Sequence, residues 1–370
     1  MRVVHVAPTA FGADGLYGGG ERYPLELARA VAAHVDCTLV TFARRGRPAQ
    51  REDGGLRVRV LPARGHLRRH PAHPLAPGLP AALGGFDIVH AHQLWATPSR
   101  LAAAAARLRR QPVAVTDHGL LGSRPRPPGA DRLVDRFLTV SRYSAEVLEA
   151  PEERTAVIYG GADTGRLSPG PAGTPRSGVL FVGRLTPHKG VDRLLRALPP
   201  KAELTVVGTA GHDLRPPESG YAGWLRQLAG EDGRHVRFLG AVRDTDLLEL
   251  YRSTAVMVLP SVEQTCYGKQ IRISELLGLS LLEAMACGAP VIASALGGLR
   301  EVVRHGETGF LVAPGDVDDL RRRIEQVLAD PVQARRMGDD AHQLVAERFT
   351  WDACARRCLE AYEAMGATGA

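Results

Sequence analysis

The chain has 370 residues, 44% of them hydrophobic and 24% charged, with a formal net charge of +7. That is the composition of a soluble globular protein long enough for two domains, and no apolar run approaches the roughly 20 residues that span a bilayer, which excludes a helical membrane protein. The cysteines Cys37, Cys266, Cys287, Cys354 and Cys358 show no CxxC spacing and read as reduced thiols, with Cys354 and Cys358 as packed neighbours on a helix.

Short β-branched runs alternate with Ala- and Leu-rich stretches of helical period along the whole chain. Arg2–Pro8 runs straight into a first strand, without the basic region and cleavage site of a secretory leader, so a cytoplasmic protein is expected. Strands are predicted at Val3–Ala7, Thr38–Phe42, Leu56–Leu61, Ile88–His90, Val113–Asp117, Phe137–Val140 and Ala156–Tyr159. Helices are predicted at Glu21–Ala33, Ser99–Arg109 and Ala145–Ala150. The Pro/Gly-rich stretch Ser168–Gly178 carries no apolar period and reads as a linker.

The pattern then restarts. Strands are predicted at Val179–Val182, Leu204–Val207, Val236–Leu239, Val256–Leu259, Val291–Ala293 and Phe310–Val312. Helices are predicted at Val191–Leu198, Trp224–Ala229, Thr245–Tyr251, Ser280–Cys287 and Val317–Ala329, and Ala334–Met365 is amphipathic and helical. Such alternation builds parallel sheets covered on both faces, so the expected fold is α/β, with two doubly wound Rossmann-like domains in tandem. The expected boundaries are 1–168, a linker over 169–178, a second domain over 179–345, and a C-terminal helix over 346–370 that packs back on the first domain. Open sheets of this type bind ligands beyond the carboxyl ends of their strands, and two facing each other form a cleft for two substrates.

The charge is unevenly placed. Residues 1–168 carry 23 Arg, no Lys and 15 Asp and Glu, a balance of +8, whereas the remainder balances at −1. Such a field favours an anionic acceptor or peripheral contact with an anionic membrane; a solvated Arg-rich surface is the competing reading. No aromatic residues interleave with these arginines, so no nucleic-acid partner is expected.

The densest local signal is the string from Glu275 to Ser294, ELLGLSLLEAMACGAPVIAS. Gly278 precedes a short helix whose buried stripe is expected at Leu279, Leu282 and Ala286. Gly288 suits a left-handed cap, and Pro290 stops the helix. The free amides at the start of that helix make a ready diphosphate site. Glu275 and Glu283 flank it, and a carboxylate can accept from two vicinal hydroxyls. This string resembles the E-x7-E motif of the family-four glycosyltransferases, retaining enzymes of the GT-B fold. Gly297–Val303 and Gly306–Val312 fit the continuation of the family's donor domain, and the resemblance covers nearly the whole chain. It implies that Glu283 binds the donor ribose, and that Glu275, with the amides near Gly278 and Leu279, holds the sugar hydroxyls and a phosphate.

The segment Gly183–Gly190 (GRLTPHKG) is similar to the family's G-R-x-x-x-x-K-G. Arg184 and Lys189 would there neutralise the departing nucleoside diphosphate. Lys189 is one of three lysines, with Lys201 and Lys269. In the first half, Gly19 and Gly20 lie in a glycine loop after the first strand, similar to the loop that closes on the donor phosphate in the family. His118 ends another strand, where the family often places a histidine near the reaction centre; a histidine satisfied by a backbone carbonyl is the alternative. His90 and His92 read as cleft-lining or structural residues. Ser141 reads as a helix cap. The resemblance puts the base-reading backbone near Val242.

Two departures from the family pattern stand out. Gly160 replaces the Asn of the usual Asn-Gly-x-Asp. Thirteen residues, 262–274, separate Ser261 from Glu275 where the family has only a few. This inserted loop is expected to tune donor or acceptor choice, with Glu263, Tyr267 and Lys269 as candidates. No metal triad is evident, so metal-independent transfer without a cofactor is expected. The expected acceptor is a small secondary-metabolite-type molecule, anionic if the arginine field serves it, or alternatively a polysaccharide or lipid-linked acceptor of the cell envelope. A nucleotide-sugar epimerase of the same fold and a binding module without turnover are the competing functions; an acceptor-dependent product excludes both.

Overall fold

The structure is a computed structural model that describes residues 1–11, 18–43, 49–117, 129–211, 215–231 and 233–367. The chain forms two compact units, Met1–Gly160 together with Trp351–Ala370, and Gly161–Thr350.

The first unit is built on an eight-stranded sheet: β1 (Arg2–Val6), β2 (Asp36–Ala43), β3 (Ala49–Asp53), β4 (Leu56–Pro62), β5 (Ile88–His92), β6 (Val113–Thr116), β7 (Arg136–Thr139) and β8 (Thr155–Val157). The order is β3-β4-β2-β1-β5-β6-β7-β8, and every pairing is parallel except β3 with β4. Its helices are α1 (Gly19–Ala32), α2 (Leu79–Ala82), α3 (Thr97–Leu108) and α4 (Arg142–Val147). Strand side chains alternate between faces. Val4, Val6, Val40, Val89 and Ala91 pack with Leu79 and Leu83 of the α2 region and with Ala102 and Ala106 of α3. The alternate residues His5, His90 and His92 belong to the opposite face, where the side chain of Tyr362 meets His5 and His90.

The second unit carries six parallel strands: β9 (Ser177–Val182), β10 (Leu204–Val207), β11 (Val236–Gly240), β12 (Thr254–Leu259), β13 (Val291–Ser294) and β14 (Gly309–Val312). Their order is β11-β10-β9-β12-β13-β14, the doubly wound Rossmann order with its reversal between β9 and β12. The helices are α5 (Val191–Ala197), α6 (Tyr221–Glu231), α7 (Asp244–Ser253), α8 (Leu279–Ala286), α9 (Leu299–Val302), α10 (Val317–Ala329) and α11 (Pro331–Arg348).

The crossings between units fall at Gly160–Gly161 and Thr350–Trp351, not at the Pro/Gly-rich stretch. Residues 169–178 belong to the second unit. Arg176 anchors them there by donating to the carbonyls of Tyr251, Thr254 and Cys287, and Arg252 donates to the Ser168 carbonyl. The C-terminal helical stretch is two helices. It breaks at Phe349-Thr350, and the last, α12 (Trp351–Ala367), packs on α1 of the first unit.

Candidate functional site

The chemistry-bearing residues of the second unit gather where its strand order reverses. β9 ends into the Gly183–Gly190 loop, and β12 runs out into Pro260-Ser261. The two loops touch at Gly190, whose φ is 68°: a Cβ there would stand 2.0 Å from the Pro260 carbonyl oxygen, so only glycine fits. The His188 carbonyl accepts from Val262 N at 2.9 Å, tying the loops again. Across this junction Lys189 Nζ donates to Glu275 Oε1 at 2.5 Å, and Ser261 Oγ donates to the same oxygen at 2.5 Å.

Glu275 is only 5% exposed. Burial alone pushes its carboxyl upward. The Lys189 ammonium and the two hydrogen bonds outweigh that, and the group lies below the usual carboxylate range, ionised at neutral pH. Burial, aided by the cations Lys189, Arg184 and Lys269 and opposed by Glu275, lowers the His188 imidazole to about 3. His188 is therefore neutral, and the positive charge of the pocket comes from Arg184 and Lys189, since Lys269 is paired with Glu218. Arg184 is exposed and makes no ion pair with a described residue.

Gly278 stands before α8 with φ 91°; a Cβ there would meet Leu299 Cδ2 at 2.6 Å, which explains the glycine. Gly298 N donates to the Glu275 carbonyl at 2.9 Å and fixes the approach to the helix. α8 has no side-chain cap; Leu281 N and Leu282 N donate to the Gly278 carbonyl, so the amides of Leu279 and Ser280 have no intrahelical or capping acceptor. Leu279, expected in the buried stripe, is half-buried; Leu281, Leu282, Ala284, Met285 and Ala286 are buried. Glu283 Oε2 accepts from Tyr251 Oη of α7 at 2.9 Å. The two acids thus lean on different neighbours, Glu275 on the β9 loop and Glu283 on α7. Val242 is half-buried in the turn between β11 and α7.

The inserted segment folds on itself. Thr265 N donates to Lys269 O at 2.9 Å, Ile271 N to Glu263 O at 2.7 Å, and Gly268 takes the turn. Lys269 Nζ pairs with Glu218 at 3.0 Å, and the Tyr267 ring stands edge-on to Tyr221 at 6.4 Å. Tyr221 in turn donates to Asp192 Oδ1 of α5 at 2.7 Å. The hairpin is therefore anchored to the body of its own unit, beside the cationic loop.

The family model "Glycosyl transferases group 1" matches residues 172–344, and "Glycosyltransferase Family 4" matches residues 17–166. A D-inositol 3-phosphate glycosyltransferase of Streptomyces bingchenggensis is 31% identical over 99% of this chain and 89% of its own. The chain belongs to glycosyltransferase family 4. A second such relative, from Frankia alni, is 32% identical over 75% of this chain and 74% of its own. The crystal structure of Anabaena HepE in complex with UDP has a TM-score of 0.76 at 22% identity, over 98% of this chain and 100% of that one. Sucrose-phosphate synthase from Thermosynechococcus elongatus follows with 0.74 at 24%, covering both chains fully. These likenesses give the family-4 enzyme the GT-B fold.

The remaining expected residues of the glycosyltransferase belong to the first unit. Gly19 and Gly20 open α1 in the first unit, where a Cβ on Gly20 would meet Gln93 Nε2 at 3.4 Å. His118 lies outside the described residues. His90 and His92 belong to a buried chain of polar groups. His90 joins Thr116 Oγ1 at 2.7 Å and Tyr362 Oη at 2.6 Å, Tyr362 Oη lies 3.4 Å from His5 Nε2, and His5 Nδ1 lies 3.0 Å from His92 Nε2. The three imidazoles have ligand atoms within 4.8 Å of one another, but both nitrogens of His90 already have hydrogen-bond partners, and His90 and His92 stack at 4.5 Å. This favours a hydrogen-bonded network over a metal site.

Ser261, Tyr251 and His188 are pocket residues that the sequence reading did not name as such. Ser261 and Tyr251 have no motif of their own; they matter because folding brings them to Glu275 and Glu283.

Proposed function

We propose that this glycosyltransferase moves a hexose-type sugar from a UDP- or GDP-linked donor to a small anionic acceptor, with retention at the anomeric carbon and without a metal ion. The observation that carries the reading is the Lys189–Glu275 pair at the strand-order reversal, beside the uncapped start of α8. Arg184, Lys189 and the first amides of α8 would take the diphosphate, and Glu275 the sugar hydroxyls. Glu283 would take the ribose, with the base near Val242. Gly19, Gly20 and His118 are proposed donor contacts from the first unit. In the transfer, the bond between the anomeric carbon and the phosphate oxygen breaks. The acceptor oxygen bonds to the same face of the carbon, and its proton passes to the departing phosphate. Arginine and lysine then supply the charge neutralisation that a divalent ion provides elsewhere.

Relatives named D-inositol 3-phosphate glycosyltransferases support a phosphorylated polyol as acceptor. The arginine excess of residues 1–168 suits such an anion. The test is incubation with UDP-, GDP- and dTDP-sugars and inositol 3-phosphate. One donor should yield a glycoside of retained configuration by NMR coupling, at a rate unchanged by EDTA. No glycoside from any donor overturns the reading; an inverted product or EDTA-sensitive turnover overturns the corresponding part of it.

A further inference from the structure

Ser261 ends the strand segment after β12, and Glu275 opens the loop before α8 beyond the inserted hairpin, yet the two side chains touch. The hairpin permits this by closing at its base, with Ile271 N on Glu263 O, so the chain leaves and returns at one place. Ser261 is wholly buried, and its hydroxyl and the Lys189 ammonium both donate to Glu275 Oε1. Glu275 Oε2 takes no hydrogen bond from a described residue.

We propose that Ser261 is a positioning residue of the donor site: its hydroxyl holds Glu275 in place, with Oε2 left for a sugar hydroxyl, when Lys189 turns from Glu275 to the donor diphosphate. The proposal rests on reading this pocket as the donor site. An ammonium within reach of two anions goes to the stronger charge, and a diphosphate outcompetes a single carboxylate. Once Lys189 moves, Glu275 is a buried carboxylate short of its counter-ion, and such a group tends to take up a proton. A neutral hydroxyl is not drawn to the phosphate in the same way. It stays, and a charge-assisted O–H···O⁻ bond favours the ionised acid. The serine thus supplies what the shared lysine gives up during the reaction cycle.

The experiment compares wild type, Ser261→Ala and Ser261→Thr, using the donor that the wild type turns over in the panel above. Ser261→Ala should lower kcat/KM about 10- to 100-fold, the worth of one hydrogen bond to a charged group. The acid limb of its kcat/KM profile should move to higher pH, because Glu275 has lost a donor that favours ionisation. Ser261→Thr should restore both. A merely structural serine would lower the melting temperature without moving the acid limb. A second arm needs no donor: titration of the Glu275 carboxyl carbon in ligand-free, ¹³C-glutamate-labelled protein, assigned through Glu275→Gln. Its midpoint should rise in Ser261→Ala. An unmoved Glu275 titration, or a wild-type acid limb, overturns the proposal. A raised midpoint in a protein whose wild type turns over no donor overturns the donor-site reading instead.

Discussion

Glu275 and His5 face one problem with opposite outcomes: each is a titratable group that folding removes from water. Glu275 keeps its charge because an ammonium and a hydroxyl meet one of its oxygens. His5 has no such counter-ion. It lies wholly buried on β1 against His92, the ring of His90 and Tyr362 Oη, none of them anionic at neutral pH. Burial therefore lowers its imidazole to about 3. A histidine depressed in this way stays neutral in the folded chain but takes a proton in the unfolded chain below about pH 6.5, so acid favours unfolding. The cost is about 1.4 kcal/mol per pH unit between that point and about 3, or roughly 2 kcal/mol by pH 5. Urea midpoints of the first unit should fall between pH 7 and pH 5. His5→Gln, which keeps a neutral hydrogen-bonding group, should flatten the profile; an equal slope in the variant would assign the loss to other groups. Lys189 and Glu275 were legible in the sequence because each stands in a string with its own turn chemistry. The histidine network was not, because His5 and His90 meet only through the β1–β5 register.

At the scale of elements, legibility followed burial. Each predicted strand has its counterpart, because apolar β-branched runs are what a doubly covered parallel sheet demands. β3 was missed: Ala49–Asp53 is mostly polar and exposed, and pairs only at the sheet edge. α2 and α9, four residues each, are too short to show a period. The Pro/Gly stretch 169–178 looked like a linker since its anchor, Arg176, works through distant carbonyls that no local pattern announces. The inserted hairpin was visible as an excess of residues, but not that it closes on itself and is held by Lys269–Glu218. That closure makes it separable. Replacing residues 264–270 by two glycines keeps Ser261 and Glu275 in the chain and removes Tyr267 and Lys269. Binding of the nucleoside diphosphate of the donor that the wild type turns over, followed by calorimetry, should change by less than about threefold, whereas discrimination among sugars carried on that nucleotide should fall by about tenfold or more. Unchanged discrimination would remove the hairpin from the specificity of the enzyme.

For the whole molecule, the decisive feature is that the chain leaves the first unit at Gly160 and re-enters it at Trp351. The last helix is thus part of a core begun some 350 residues earlier. Trp351, Cys354, Ala355, Cys358, Ala361, Tyr362 and Met365 are buried at helical spacing. Trp351 stands edge-on to Tyr23 of α1 at 5.1 Å, and Tyr23 Oη reaches Cys354 Sγ at 3.5 Å. Tyr362 also closes the histidine network on the sheet. At about 1.5–3 kcal/mol for each large side chain buried, the helix contributes on the order of 10 kcal/mol, comparable to the whole stability of a domain. A chain ending at Thr350 should therefore lose the cooperative unfolding of its first unit, while residues 161–350 keep theirs. Limited proteolysis should digest 1–160 and spare a fragment spanning the second unit. Arg356→Ala, which removes only an exposed partner of Asp352 on the same helix, should leave the pattern of the full chain unchanged. A truncated chain whose first 160 residues resist the protease as the full chain does would mean that the sheet and α1–α4 suffice, and that the return of the chain serves something other than folding.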